Sequence, residues 1–292
     1  MGSRKMMGRA LAMAGASAAL AALGVAPALA SGGGVPSIEK LVPAKIKSGG
    51  KLTVGSDGTY APDEFVQNGK MAGMDVDLAE ALGKVMGLKV SVSNVTFDDI
   101  IPSMLSGRYM LGASSFTDTK AREKQVNFVD YANVGESFYT LASGGAKISG
   151  ISGICGMTVS VESGTTEADD AKAQSAKCTK AHKKPVTVAV YPGQNQANLA
   201  VSDGHAQVGF ADTPVAAYQV KQSHGKFKLV GATYAKAPYG LAVGKSTGLT
   251  PAVKAAVLYL IKHGTYAKIF KKWGVQSIEV PASFVKVDGA TS

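Results

Sequence analysis

Cysteine is nearly absent. The 292 residues include two, Cys155 and Cys178, without the paired spacing of a zinc ligand set. That excludes a disulfide-dense scaffold and a thiolate-held metal. Histidine is also sparse: His182, His205, His224 and His263 fall at polar or turn positions with no metal-ligand spacing. No metal or cofactor is expected. There is no phosphate-binding loop, which argues against a P-loop nucleotide enzyme. After residue 30 no apolar run reaches the length of a membrane-spanning helix. Acidic residues are outnumbered, 21 against 31 Lys plus Arg, for a formal net charge of +10. The lysines are scattered, with small groups at Lys183-Lys184 and Lys271-Lys272. No basic helix or interleaved aromatic platform accompanies them. A solvated basic surface is expected rather than a nucleic-acid partner.

The chain opens like an export signal. Arg4, Lys5 and Arg9 make a basic start, Ala10 to Val25 is apolar, and Ala28-Leu29-Ala30 offers a small-residue cleavage site. We read residues 1–30 as a cleaved secretory signal peptide, which leaves about +7 on the remainder. No cysteine stands at the cleavage site, so no lipoprotein anchor is expected; the expected location is the periplasm or the extracellular space. In an exported chain an even cysteine count favours a Cys155–Cys178 disulfide, with two buried free thiols as the alternative. Residues 31–49 carry Gly, Ser and Pro and read as a flexible leader.

From there the pattern alternates. Leu52 to Val54 begins a strand, and Gln67-Asn68-Gly69-Lys70 signals a hairpin. Asp75 can cap a helix whose Val76, Ala79, Leu82 and Met86 share one face, and Gly87 ends it. Lys89 to Val95 is a strand, Asp98 or Asp99 caps a helix closed by Gly107, and Met110 to Ala113 is a short buried strand. A second block repeats the theme. Strands at 158–161, 186–190 and 208–210 alternate with helices at 165–176, 194–201 and 213–222. This is the βαβ pattern of a parallel sheet with helices on its faces. Two extended runs, Ser137 to Ser143 and Tyr239 to Val243, join the blocks, and helices at 251–263 and 265–272 follow. Periodicity alone allows either a chain that leaves its first lobe and returns to it or two sequential domains.

The stretch that organises the rest is Ser114-Ser115-Phe116-Thr117-Asp118-Thr119-Lys120-Ala121-Arg122. It places hydroxyls and one guanidinium at the end of a strand, where open α/β sheets bind ligands. Arginine grips a carboxylate with two parallel hydrogen bonds. Four further pieces accompany it in order: Asp57-Gly58-Thr59-Tyr60-Ala61-Pro62, Gly73-Met74-Asp75-Val76-Asp77-Leu78, Phe97-Asp98-Asp99-Ile100-Ile101-Pro102, and Ser163-Gly164-Thr165-Thr166 with Ala211-Asp212. Over about residues 50 to 275 the ordered set resembles the family 3 solute-binding proteins, the extracytoplasmic amino-acid receptors of ABC importers.

The resemblance implies a two-lobed periplasmic-binding-protein fold of type II, with the ligand cleft between the lobes and two hinge strands. Lobe 1 would be residues 50–138 plus 240–292, and lobe 2 residues 139–239. A free amino acid is a zwitterion, and burying it requires partners for both charges. The resemblance places Arg122 on the ligand carboxylate, with Thr117, Ser114 and Ser115 nearby. Thr165 and Thr166 would supply donors from the start of a helix. Thr166 with Asp169 also fits a capping box. Asp212 resembles the aspartate that holds the amino group, and it also fits a helix cap. Tyr60 and Phe97 match the aromatic walls. Asp57 matches a position that often meets the polar end of the ligand, though it can instead brace its loop. Asp63, beside Glu64, departs from the usual Phe and would make one wall acidic.

The implied function is capture of an amino acid, polar or cationic, by hinge closure, with delivery to an ABC permease. The chain would act as a monomer and catalyse nothing. The alternative is an exported enzyme of the cyclohexadienyl-dehydratase kind on the same fold, with Asp63 or Glu64 as acid or base.

Overall fold

The computed structural model describes residues 33–290; the signal-peptide reading lies outside them. The described chain opens with two short helices, α1 (Pro36–Glu39) and α2 (Ala44–Gly49). Ile38, Val42 and Ile46 bury their side chains in the main core. Residues 36–49 are therefore packed structure rather than the flexible leader expected, because burial of these three apolar side chains outweighs the freedom of the surrounding Gly and Ser.

The next segment holds β1 (Lys51–Ser56), β2 (Thr59–Tyr60), β3 (Glu64–Gln67), β4 (Lys70–Ala72), α3 (Met74–Val85), β5 (Lys89–Asn94), α4 (Phe97–Leu105), β6 (Leu111–Gly112), α5 (Lys120–Glu123) and β7 (Asn127–Leu141). It continues with β8 (Thr158–Glu162), α6 (Thr166–Lys180), β9 (Thr187–Tyr191), α7 (Gln194–Ser202), β10 (Val208–Asp212), α8 (Thr213–Gln222) and β11 (Phe227–Val243). Helices α9 (Thr250–Lys262) and α10 (Thr265–Trp273) follow.

Eight strands form one sheet in the order β5-β1-β6-β11-β7-β10-β8-β9, and β2-β3-β4 form a small second sheet. The Asn68-Gly69 hairpin forms as expected, with both residues at positive φ, 52° and 75°. The two expected extended runs are the ends of much longer strands. β7 and β11 pair along their lengths and carry the chain from the first half of the sheet, with β5, β1 and β6, to the second, with β10, β8 and β9. Between the halves β11 shifts register at Tyr234, and Ala235 takes a positive φ of 41°. Each half has its own apolar interior. The larger gathers β1, α3, α9 and α10; the second packs Val159, Val161, Ala168 and Phe210.

Three helix starts differ from expectation. Gly73, not Asp75, caps α3, because a Cβ there would stand 2.2 Å from the Asp63 carbonyl oxygen. Thr96 precedes α4, with Asp98 and Asp99 inside its first turn. Thr165, not Thr166, caps α6, its Oγ1 accepting from the Ala168 amide at 3.2 Å. The disulfide forms: Cys155 and Cys178 are bridged, tying α6 to the turn before β8.

Candidate functional site

The cleft lies where the carboxyl ends of the strands of both halves converge. Its lining comprises Tyr60, Phe97, Ser115, Thr117 and Arg122 from the first half, and Glu162, Thr165, Thr166, Glu167 and Asp212 from the second. The topology explains the meeting. β6 delivers the 114–122 turn, β8 delivers the 162–166 turn, and β10 ends at Asp212.

Arg122 sits on α5, where Thr119 caps the helix through the Arg122 amide. Its Nη1 donates to the Thr117 carbonyl at 2.7 Å, and its Nη2 crosses to the Gly164 carbonyl at 2.9 Å. The guanidinium carbon lies 5.3 Å from the Phe97 ring centre and 5.4 Å from that of Phe116, whose rings stack 4.5 Å apart. These contacts fix the plane of the fork and leave it facing the cleft. Burial pulls the guanidinium pKa down, and the carboxylates Glu167 and Asp212 oppose that. Thr117 Oγ1 and Thr166 Oγ1 face each other at 3.4 Å.

Across from Arg122, the Tyr60 hydroxyl lies 3.0 Å from Asp212 Oδ2 and 3.4 Å from Glu167 Oε1. Asp212 stands at the start of α8, yet its side chain caps nothing. Its carboxyl is pushed up to about 7, by burial first. Glu167 is pushed well above the usual carboxylate range by burial and then by Asp212. Glu162, last in β8, is raised likewise by burial and then by Asp57. Three carboxyl groups thus share one cleft with one guanidinium.

Ser114 and Asp57 do not line this cleft. Ser114 Oγ turns inward, accepting from the Asp57 amide at 2.9 Å and donating to Glu64 at 3.0 Å. Asp57 braces its loop, accepting from Thr59 N at 2.7 Å, Thr59 Oγ1 at 2.6 Å and Phe97 N at 3.0 Å. The expected acidic wall is absent from the lining residues. Asp63, Glu64 and Asp75 are buried behind the Ser114-Ser115 turn. Ser115 Oγ lies 3.1 Å from both Asp63 and Glu64, and Asp75 accepts from the Ser115 amide at 2.7 Å and Tyr131 at 2.6 Å. Burial raises all three, Asp75 to about 6, and the cluster shapes the turn from beneath.

Glu162 and Glu167 are the lining residues that motif reasoning missed. Both flank Ser163-Gly164-Thr165-Thr166, and Glu162 continues the period-2 alternation of β8 onto its carboxyl end, which is a readable signal. Gly244-Lys245-Ser246-Thr247-Gly248 has the letters of a serine-nucleophile elbow, but Ser246 is exposed in a 3-10 turn outside the cleft lining. Among the described residues no group of three or more His, Cys, Asp or Glu could hold a metal, and no helix is long and apolar enough to cross a membrane.

The family model of bacterial extracellular solute-binding proteins, family 3, matches residues 52–276. The chain belongs to that family, and its architecture is the two-lobed type II periplasmic-binding fold. It is 35% identical over 244 residues to the arginine-binding protein ArgT of Corynebacterium glutamicum, covering 83% of this chain and 80% of that one. Among solved structures, an ancestral arginine-binding protein bound to arginine aligns with a TM-score of 0.70 and 32% identity, covering 77% of this chain and 98% of its own. The ancestral amino acid-binding protein AncCDT-1, a precursor of cyclohexadienyl dehydratase, aligns with a TM-score of 0.70 and 31% identity, covering 78% and 97%.

Proposed function

We propose that this protein captures a free amino acid with a cationic side chain, arginine foremost, outside the cytoplasmic membrane and presents it to an ABC permease. One observation carries the reading: a single guanidinium faces three buried carboxyl groups, Glu162, Glu167 and Asp212. The two charges of any amino acid backbone use Arg122 and Asp212. Two acidic groups remain, and a cationic side chain is the ligand chemistry that compensates them. The arginine named for ArgT and for the ancestral structure agrees with that balance.

The two lobes, residues 50–138 with 240–292 and residues 139–239, close over the ligand. They bend where β7 and β11 cross between the sheet halves, near Gly135 and Tyr234. Export by a cleaved signal over residues 1–30 puts the protein where the permease takes up its ligand. A catalytic role for Asp63 or Glu64 loses its footing, since both lie outside the cleft lining.

A thermal-shift screen tests the function. Arginine, lysine, ornithine and histidine are expected to raise the melting temperature, arginine most, because a ligand that binds only the native state stabilises it. Stabilisation by leucine, valine or phenylalanine alone overturns the reading. Conversion of prephenate or arogenate to an aromatic product would restore the dehydratase alternative.

A further inference from the structure

We propose that Glu162 is the residue that reads the ligand's side-chain cation, while Asp57 serves only to brace its loop. The inference rests on the cationic-ligand reading above and adds the residue that sets its specificity.

The cleft has two ends. At the near end the Tyr60 hydroxyl touches both Asp212 and Glu167, which places those two carboxyl groups beside one atom. Arg122 lies across the cleft from that atom, over the Phe97 and Phe116 rings. Asp212 and Arg122 take the backbone groups of the ligand, as above. Glu162 lines the same cleft from the end of β8, and its side-chain contact is with Thr59 rather than with the Tyr60 hydroxyl, its Oε1 lying 3.3 Å from the Thr59 hydroxyl. A side chain extending away from Arg122 and Asp212 ends beside Glu162.

Proton counting separates Glu162 from Asp57. The Thr59 hydroxyl lies 2.6 Å from Asp57 Oδ1 and 3.3 Å from Glu162 Oε1, and it accepts from the Gln194 amide at 3.0 Å. A hydroxyl has one proton to give. The shorter contact takes it, so Asp57 holds three donors, while Glu162 keeps only the Gln194 backbone as a donor. Asp57 is satisfied within its own loop. Glu162 is a buried carboxyl at the cleft wall whose charged form has no cation beside it. Burial raises its pKa and so disfavours the carboxylate when no cation is near. A guanidinium beside it stabilises the carboxylate, and the proton leaves to solvent.

Calorimetric titration with arginine and with citrulline decides the matter. Citrulline has the same length and carries a neutral ureido group in place of the guanidinium. The unmodified protein is expected to prefer arginine by about 30-fold or more, the size expected for a buried charge pair. Glu162→Gln should bring the two ligands to within about threefold of each other. Asp57→Asn should weaken both alike and leave the ratio unchanged. Glu162→Gln retaining the ratio overturns the assignment, and so does Asp57→Asn abolishing it. Circular dichroism reports folding; if Glu162→Gln does not fold, Glu162→Asp takes its place, and it should lower the arginine preference that Asp57→Asn leaves unchanged, an undiminished preference overturning the assignment. An unmodified protein without arginine preference overturns the cationic reading itself, which is a separate outcome.

Discussion

Tyr60 and Asp212, 152 positions apart in sequence, are joined twice: the tyrosine hydroxyl donates to Asp212 Oδ2 at 3.0 Å and accepts from the Asp212 amide at 3.1 Å. The pair links the small β2-β3-β4 sheet to the second half of the large one at the point assigned to the ligand's amino group. Tyr60 is thus both an aromatic wall and a closing contact. Tyr60→Phe removes the hydroxyl and keeps the ring. It should lower arginine affinity by roughly 3- to 15-fold, the worth of one or two ordinary hydrogen bonds, without altering the fold. Titration calorimetry measures it; an unchanged affinity would show that the bond does not assist closure.

Arg122 should matter more than any other single side chain. Arg122→Ala leaves the ligand carboxylate buried without its cation, a loss of about 3–5 kcal/mol. Arg122→Lys should recover only part, since an ammonium lacks the paired donors and the flat face that stacks on Phe97 and Phe116. The loss should be similar for every amino acid bound, because all share the carboxylate. An Arg122→Ala protein binding arginine within about threefold of the parent would remove Arg122 from the site.

Binding should depend on pH with a fixed sign. Asp212 carries a raised pKa of about 7 and must be ionised to hold an ammonium. Below pH 7 ligand binding therefore expels a proton, and the association constant should fall by up to about tenfold per pH unit for each proton released. Titration in buffers of different ionisation enthalpy counts those protons. A flat profile from pH 5 to 8 contradicts the assignment.

A second acidic pair predicts a stability profile independent of ligand. Asp118 and Asp130 lie together under the C-terminal segment, with Glu123 and Asp288 adding negative charge and Lys120 engaged by Glu123. The segment is tied down by Asp130 N to the Lys286 carbonyl and by Phe128 N to Asp288. Folding raises the pair from the ordinary 3.8 to about 6 and about 8, burial being the first cause. A raised carboxyl contributes stability below its unfolded pKa and loses it as pH climbs through the folded value. The melting temperature should thus decline from about pH 4 to 8, and Asp130→Asn should flatten the decline. Parallel melting curves for parent and variant would expose an error.

The sequence by itself determined the local elements. The Asn68-Gly69 turn, the faces of α3 and the βα alternation depend on residues within a few positions of one another, and such neighbours show in a linear string. Arg122, Thr117, Thr166 and Asp212 were legible through ordered motifs. Tertiary structure alone decided which carboxyl groups face the ligand. Asp57, Asp63 and Asp75 look available in sequence, yet buried donors hold Asp57 and Asp75, and all three lie outside the cleft lining. Glu162 and Glu167 attract less notice in sequence, yet they line the cleft. The reason is the reach of the interactions. A carboxyl group's role depends on which donors stand within about 3 Å of it, and for Asp57, Asp75 and Asp212 some of those donors come from segments 40 to 152 residues away.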